Sequence, residues 1–438
     1  MSSPLTVLDE KRPAAADAVP ACALPDSPLA AALPGINQCV HCGFCLQACP
    51  TYLTLEDENE SPRGRIFLMR SLLEGTISPD DDSVHAHIDR CLGCRACEPA
   101  CPSGVPYGQL LEATRATLRE ARRPPFVARL ILFVFANPVL LKLAMLGSRF
   151  LAATPIPTLL ARTKGRMGFG MAMLSSAGSP LERDPYETSN SGERGTTAVL
   201  RGCVMEGLFT ETNRATERVL RRNGYSTVEA RGQGCCGALH AHAGDLEAAR
   251  KLARRNIAAF ERSGAEYIAV NAAGCGAMMK EYAHLLHDDP EWHDRGAAMS
   301  SRVRDVSELL AAAGPLPGHP LPFRITYDAP CHLIHAQRVV NQPLAVLAAI
   351  PGLELIPLHD SENCCGSAGI YNLIEPETSD AVLTPKLENI ADTGATYVAT
   401  GNPGCLMQIG AGLLRSGSKT KAIHPVDLLD ASYATRGG

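Results

Sequence analysis

Beyond residue 195 the chain alternates short apolar runs with longer stretches whose apolar residues recur at helical spacing. Thr196-Thr197-Ala198-Val199-Leu200 reads as a strand, residues 211–223 as a helix, 225–230 as a second strand and 245–262 as a second helix. Tyr267-Ile268-Ala269-Val270-Asn271 follows as a third strand, and the order returns with strands at 323–327, 353–358 and 396–400. Alternation of this period predicts α/β units on mostly parallel sheets. The first third is patterned differently. Residues 66–74 have helical spacing and a stop at Gly75, and residues 109–123 form a charged amphipathic helix halted by Pro124-Pro125. The most apolar stretch, 126–161, is cut by Asn137-Pro138, Lys142, Pro155 and Pro157. It lacks the roughly 20 unbroken apolar residues of a membrane span. Two short helices are predicted there, and three surroundings suit them: a partner subunit, a membrane surface, or the chain's own domains.

The fold class is therefore α+β and α/β, a mostly helical N-terminal module followed by two repeated α/β units. The expected divisions are a disordered leader at 1–34, a module at 35–123, an apolar helical extension at 124–178 and a linker at 179–197. The repeated units take 198–315 and 322–430. The leader lacks the apolar core of a signal peptide, and Cys22 within it reads as incidental. Lys+Arg 41 against Asp+Glu 46 gives −5, and a single Trp leaves no basic, aromatic-interleaved surface, which argues against nucleic acid. Seventeen cysteines are many for an intracellular chain, and their spacing is that of metal sites rather than a disulfide framework.

Cys39, Cys42, Cys45 and Cys49, closed by Pro50, form a C-x2-C-x2-C-x3-C-P run, and Cys91, Cys94, Cys97, Cys101 and Pro102 repeat it. This is the ligand run of bacterial two-cluster ferredoxins, in which the fourth cysteine serves the other cluster. On that pattern Cys39, Cys42, Cys45 and Cys101 hold one [4Fe–4S] group, and Cys91, Cys94, Cys97 and Cys49 hold the second. Between the runs, Arg63 and Arg65 either offset the charge of a nearby cluster or open a solvated helix. His85 and His87, two residues apart, read as surface histidines.

The α/β units carry a cysteine repeat of their own. Cys203, Cys235-Cys236-Gly237 and Cys275 in the first correspond to Cys331, Cys364-Cys365-Gly366 and Cys405 in the second, displaced by 128 to 130 residues. Two like-folded units follow. Every one of these cysteines falls just past a strand's carboxyl end, where open α/β sheets place ligands. Four thiolates per unit suit an additional iron–sulfur cluster or a tetrahedral zinc. His240 and His242 follow the first pair, whereas Ser367, Ala368 and Gly369 follow the second, so the units are not equivalent. His332 and His335 share a helical face, either to deliver protons or ligands at Cys331 or to lie on the surface. No G-x-G-x-x-G stands at a strand–helix junction, so no flavin is expected on this chain.

These motifs, with Ser61-Pro62-Arg63-Gly64-Arg65, resemble a family of iron–sulfur subunits that join a two-cluster ferredoxin module to two cysteine-rich CCG domains. The family includes subunits of glycolate oxidase, anaerobic glycerol-3-phosphate dehydrogenase, L-lactate utilisation and heterodisulfide reductase. The continuation Ala238 to Gly244 and the ending Asn271-Ala272-Ala273-Gly274-Cys275-Gly276 are most similar to the glycolate oxidase branch. The resemblance implies glycolate catabolism: flavin-binding partner subunits oxidise glycolate or a related 2-hydroxy acid, and this chain relays electrons towards a membrane quinone. It further implies a cytoplasmic protein held peripherally on the inner membrane's cytoplasmic face. L-lactate or glycerol-3-phosphate dehydrogenase subunits are the alternatives, as is a heterodisulfide-reductase-like enzyme with catalysis at a CCG cluster. That last pattern ends in C-x-x-C, whereas position 272 is Ala and position 402 is Asn here.

Overall fold

The computed structural model describes residues 22–181, 186–188 and 191–434. In the N-terminal module, Ser61 caps helix Pro62–Leu73 by accepting the Gly64 N–H at 3.0 Å, with Pro62 in the first turn. The helix buries Ile66, Met69 and Leu72 against Ile88, Leu110 and Ile36. The expected leader does not reach residue 34. Helices Pro28–Ala31 and Leu33–Asn37 precede the first cysteine run, Leu29 and Ile36 are fully buried, and the Leu29 N–H donates to Thr117 Oγ1 at 3.1 Å. A module of this size needs those two side chains to close its core, and the surrounding Ala and Pro hide them from a periodicity reading. Cys22 packs at the edge of this core, and residues 1–21 lie outside the described residues.

The repeated units each carry a four-stranded parallel sheet. Strands β1 Thr196–Val199, β2 Ser226–Val228, β3 Tyr267–Val270 and β4 Val303–Asp305 lie in the order β2-β1-β3-β4. Strands β5 Arg324–Tyr327, β6 Glu354–Ile356, β7 Tyr397–Ala399 and β8 Lys421–Ile423 repeat it as β6-β5-β7-β8. Ala198 pairs with Ile268 in the first sheet, and Ile325 with Tyr397 in the second. Strands β4 and β8 are absent from the sequence reading, because the charged residues Arg304, Asp305 and Lys421 leave at most two adjacent apolar positions in each. Strand β1 starts inside the predicted linker, of which residues 182–185, 189 and 190 lie outside the described residues.

The two units are not separate cores. Helix Val306–Ala313 of the first packs on Gln342–Ala348 of the second, and Pro425–Tyr433 of the second packs reciprocally on Thr210–Arg222 of the first. Arg218 pairs with buried Asp430 at 2.6 Å, and Thr212 donates to Asp427 at 3.0 Å. The ends of β3 and β7 meet where the Ala273 N–H donates to the Gly401 carbonyl at 3.1 Å. This pseudo-twofold arrangement turns the carboxyl ends of both sheets towards each other.

The apolar extension forms helices Phe126–Ala136, Pro138–Ala152, Ile156–Leu160 and Gly165–Ser175. The first two bend by 106° at Asn137, whose side chain caps the second by accepting from Val139 and Leu140. One side of the extension bridges the chain's own domains: Ala128 and Leu132 are buried, Met145 lies against Gly207, and Gly165–Ser175 packs on Pro403–Arg415.

Candidate metal centres

The two ferredoxin-type runs fold into matching loops. In each, the residue before the second cysteine and the residue after it have positive φ: His41 and Gly43 in one loop, Gly93 and Arg95 in the other. Paired left-handed residues coil the backbone round its own sulfurs, and the Gly93 N–H donates to Cys91 Sγ at 3.5 Å. Cys39, Cys42, Cys45 and Cys101 line one small cavity, and Cys49, Cys91, Cys94 and Cys97 line a second, with Cys97 touching both. All the cysteines are free thiols. Burial pushes the Cys45 thiol up to about 11, and pushes Cys94 and Cys97 up as well. Cysteine sulfurs gathered at each of two small cavities suit a cationic iron–sulfur core, whose ligand is the thiolate.

Arg63 and Arg65 divide between these sites. Arg63 stays half-buried over the first loop, donating to the His41 carbonyl at 3.4 Å and pairing with Glu58 at 2.6 Å. Arg65 is wholly buried, which excludes a solvated helix start: it pairs with Glu60 at 2.6 Å and donates to the His87 carbonyl at 2.7 Å and Thr51 Oγ1 at 3.1 Å. Burial works against its guanidinium, which its anionic surroundings, Glu60 among them, hold protonated. His85 and His87 are not surface residues either. His85 is buried against the Pro79 carbonyl at 2.9 Å, and His87 meets Glu60 at 2.7 Å.

In the repeated units, all eight cysteines border one cavity of about 1120 Å³ between the facing sheet ends. Cys203 follows β1, Cys235-Cys236 follow β2, and Cys275 follows β3; Cys331, Cys364-Cys365 and Cys405 follow β5, β6 and β7. Gly237 and Gly366, at φ 91° and 82°, turn the chain sharply after each pair. In the first quartet, hydrogen bonds from Cys203 and then Cys236 hold the Cys235 thiol well below its ordinary value, and Cys236 lies 3.1 Å from Cys275. In the second, hydrogen bonds from Cys331 and then Cys365 do the same for Cys364. In each quartet the thiol held low stands beside two that are pushed up, Cys203 and Cys236 in the first and Cys331 and Cys365 in the second, a sulfur donor set suited to a soft cation. Ser367 Oγ, buried on the second side of the cavity, has no hydrogen-bond partner, which leaves it available to a group held there.

The quartets differ in their support. Asn256 donates to the Cys235 carbonyl at 2.9 Å, and its carbonyl oxygen accepts the Gly234 N–H at 2.9 Å. Its counterpart 130 residues on is Lys386, buried, paired with Asp328 at 2.6 Å and donating to the Asp360 and Ser361 carbonyls at 3.1 Å. Sequence reading missed Asn256, Lys386 and Asp328, though the repeat offset that matched the cysteines also matches the first two.

The histidines are anchors between modules. The His240 Nε2–H donates to the Leu132 carbonyl at 3.0 Å, and His242 bonds Glu112 at 2.8 Å. His332, pushed down to about 3 by burial, is neutral; its Nε2–H donates to the Gly93 carbonyl at 3.1 Å while its ring stacks on His242. His335 is buried as well, in a π-helical turn, and bonds the Glu362 carbonyl at 3.4 Å. The second ferredoxin-type loop is thereby docked on the repeated units: Cys94 and Leu92 pack with Cys331 and Cys364, and Arg95 pairs with Glu281 at 2.6 Å. The first loop is at the surface, with Cys42 exposed between Val40 and Phe44, which are 68% and 67% exposed.

Known proteins share this organisation. A 4Fe-4S dicluster domain model matches residues 35–105, and a Cysteine-rich domain (CCG) model matches residues 197–280 and 325–410. The probable glycolate oxidase iron-sulfur subunit of Bacillus subtilis is 37% identical over 414 residues, 89% of this chain and 92% of that protein. The glycolate oxidase iron-sulfur subunit of Escherichia coli is 32% identical over 407 residues, 90% of this chain and 93% of that one. Lactate utilization protein A of Oceanobacillus iheyensis is 29% identical over 230 residues, 52% of this chain and 93% of its own length. With a dicluster module, two CCG units and full-length relatives in agreement, the chain belongs to the family of glycolate oxidase iron–sulfur subunits.

Proposed function

We propose that this chain is the electron-transfer subunit of a flavin-dependent glycolate (2-hydroxy acid) dehydrogenase, carrying electrons from flavin-binding partner subunits towards quinone at the cytoplasmic face of the inner membrane. Cys39, Cys42, Cys45 and Cys101 would hold one [4Fe–4S] group and Cys91, Cys94, Cys97 and Cys49 the other, with each CCG quartet holding a further cluster or a zinc. Bound [4Fe–4S] groups supply one-electron transfer, whereas removing hydride from a 2-hydroxy acid needs an organic two-electron acceptor on a partner. The observation that carries the reading is the ordering of the cysteine sites: the first loop is exposed, the second is buried against the CCG units, and the quartets border a large cavity.

The first loop is the partner's docking point on this reading. Val40 and Phe44 flank exposed Cys42, and Phe67, 58% exposed, lies one helical turn beyond Arg63. Glycolate is preferred to lactate because similarity to the glycolate subunits runs along the whole chain, whereas the lactate relative matches half of it. Two experiments test this. Glycolate should bleach the iron–sulfur absorbance only when the flavoprotein is present, and bleaching of the purified chain alone contradicts the relay. Phe44→Glu should cut the rate of bleaching at least tenfold while leaving the resting absorbance intact.

A further inference from the structure

Residues 121–181 contain eight cationic residues, Arg122, Arg123, Arg129, Lys142, Arg149, Arg162, Lys164 and Arg166, and no Asp or Glu. The helices inside this stretch are apolar on two sides. Ala128, Leu132, Phe135 and Leu151 face inward onto the cysteine cavity. Facing out are Phe126, Leu130 and Phe133 on one helix, and Val139, Leu143, Leu146 and Phe150 on the next, all at least half exposed. Both outer sets recur at helical spacing, so each is a continuous stripe rather than scattered side chains. No residue of helix Pro138–Ala152 is fully buried.

No single described helix is long and apolar enough to cross a membrane. Helix Phe126–Ala136 is only about 16 Å long at 1.5 Å per residue, against roughly 30 Å of hydrocarbon, and the next helix turns away by 106°. We propose that the outer face of Phe126–Ala136 and Pro138–Ala152 docks on an anionic lipid surface, its stripes sunk at the headgroup boundary and Arg129 and Lys142 extended to the phosphates. The lack of any acidic side chain over sixty residues selects lipid over a protein partner, for which charges of both signs are the usual rim. The proposal rests on the membrane reading above and deepens it. The same helices wall the cysteine cavity, so a lipid-soluble acceptor would meet the quartets directly behind the docked face.

The test is flotation of the intact, iron-loaded chain with vesicles. Wild type should float with phosphatidylglycerol–phosphatidylcholine vesicles and about tenfold less with phosphatidylcholine alone or at high salt. Phe133→Glu/Leu143→Glu/Leu146→Glu should abolish flotation with the iron–sulfur absorbance unchanged, and Arg129→Glu/Lys142→Glu should remove the preference for anionic lipid. Wild type failing to float, or both variants floating like wild type, overturns the proposal. So does a triple variant that still floats but no longer co-purifies with partner subunits, which would make the face a protein interface. If the native complex sediments with membranes while the purified chain ignores vesicles, the surface assignment falls and the membrane reading stands. If the chain floats while the native complex stays soluble, the docking face stands and the cellular reading falls.

Discussion

Arg65 shows how one side chain ties the fold to the electron path. It is fully buried, satisfied by Glu60, Thr51 and the His87 carbonyl, and held beside Cys49 and Cys91. Replacing it by Met leaves the Glu60 carboxylate buried with one cation fewer. Arg65→Met should therefore cost about 3–5 kcal/mol in a denaturant titration and lower the reduction potential of the Cys49/Cys91/Cys94/Cys97 centre. An unchanged potential would restrict Arg65 to a structural role. The two CCG glycines make a paired prediction. A Cβ at Gly366 would lie 2.6 Å from the Ser379 carbonyl oxygen, whereas at Gly237 the nearest atom, the Ala249 carbonyl oxygen, is at 3.3 Å. Both substitutions carry the left-handed penalty of about 1–2 kcal/mol. Gly366→Ala should therefore lower the thermal midpoint more than Gly237→Ala, and equal shifts would argue that the Ser379 strand of contacts yields freely.

Elements were legible wherever a pattern had room to repeat. Helix 245–262 was expected one residue from where it lies, and the strands leading to the cysteines were found within two. What escaped were strands β4 and β8, short and broken by charge, and contacts distant in sequence. Strand β4 illustrates both: its last residue, Asp305, is also the cap of helix Val306–Ala313, with Glu308 completing the capping box. Burial pushes the Asp305 carboxyl up to about 6 from its ordinary 3.8, against hydrogen bonds from Ser307 that pull it down. A carboxyl raised on folding favours the folded state most below its unfolded value, and that contribution is lost as pH rises through about 6. A shift of about two units is on the order of 3 kcal/mol. Asp305→Asn should accordingly flatten the pH dependence of the urea midpoint between about pH 4 and pH 7, and a profile parallel to wild type would show that the carboxyl titrates normally.

For the whole molecule, spacing picks out the cysteine sets but not their arrangement. The repeat offset announced two like units, yet nothing local showed that their sheet ends face one cavity, because the packing of Pro425–Tyr433 on Thr210–Arg222 that helps to set it joins residues far apart in the chain. The histidines hide for the same reason: spacing gives His240 and His242 no role and leaves His332 between a ligand and a surface group, and all three become anchors only once Leu132, Glu112 and Gly93 arrive from elsewhere. The proposed path enters at an exposed centre, passes a buried one and reaches the cavity. The most direct test is paramagnetic resonance of the complex treated with glycolate, comparing wild type with Cys49→Ser. On that path the Cys39/Cys42/Cys45/Cys101 centre is still assembled and reduced through the flavoprotein in the variant, while the Cys91/Cys94/Cys97 signal and reduction of the terminal acceptor are both lost. Loss of the first centre's signal with the second intact, or acceptor reduction at the wild-type rate, would contradict it.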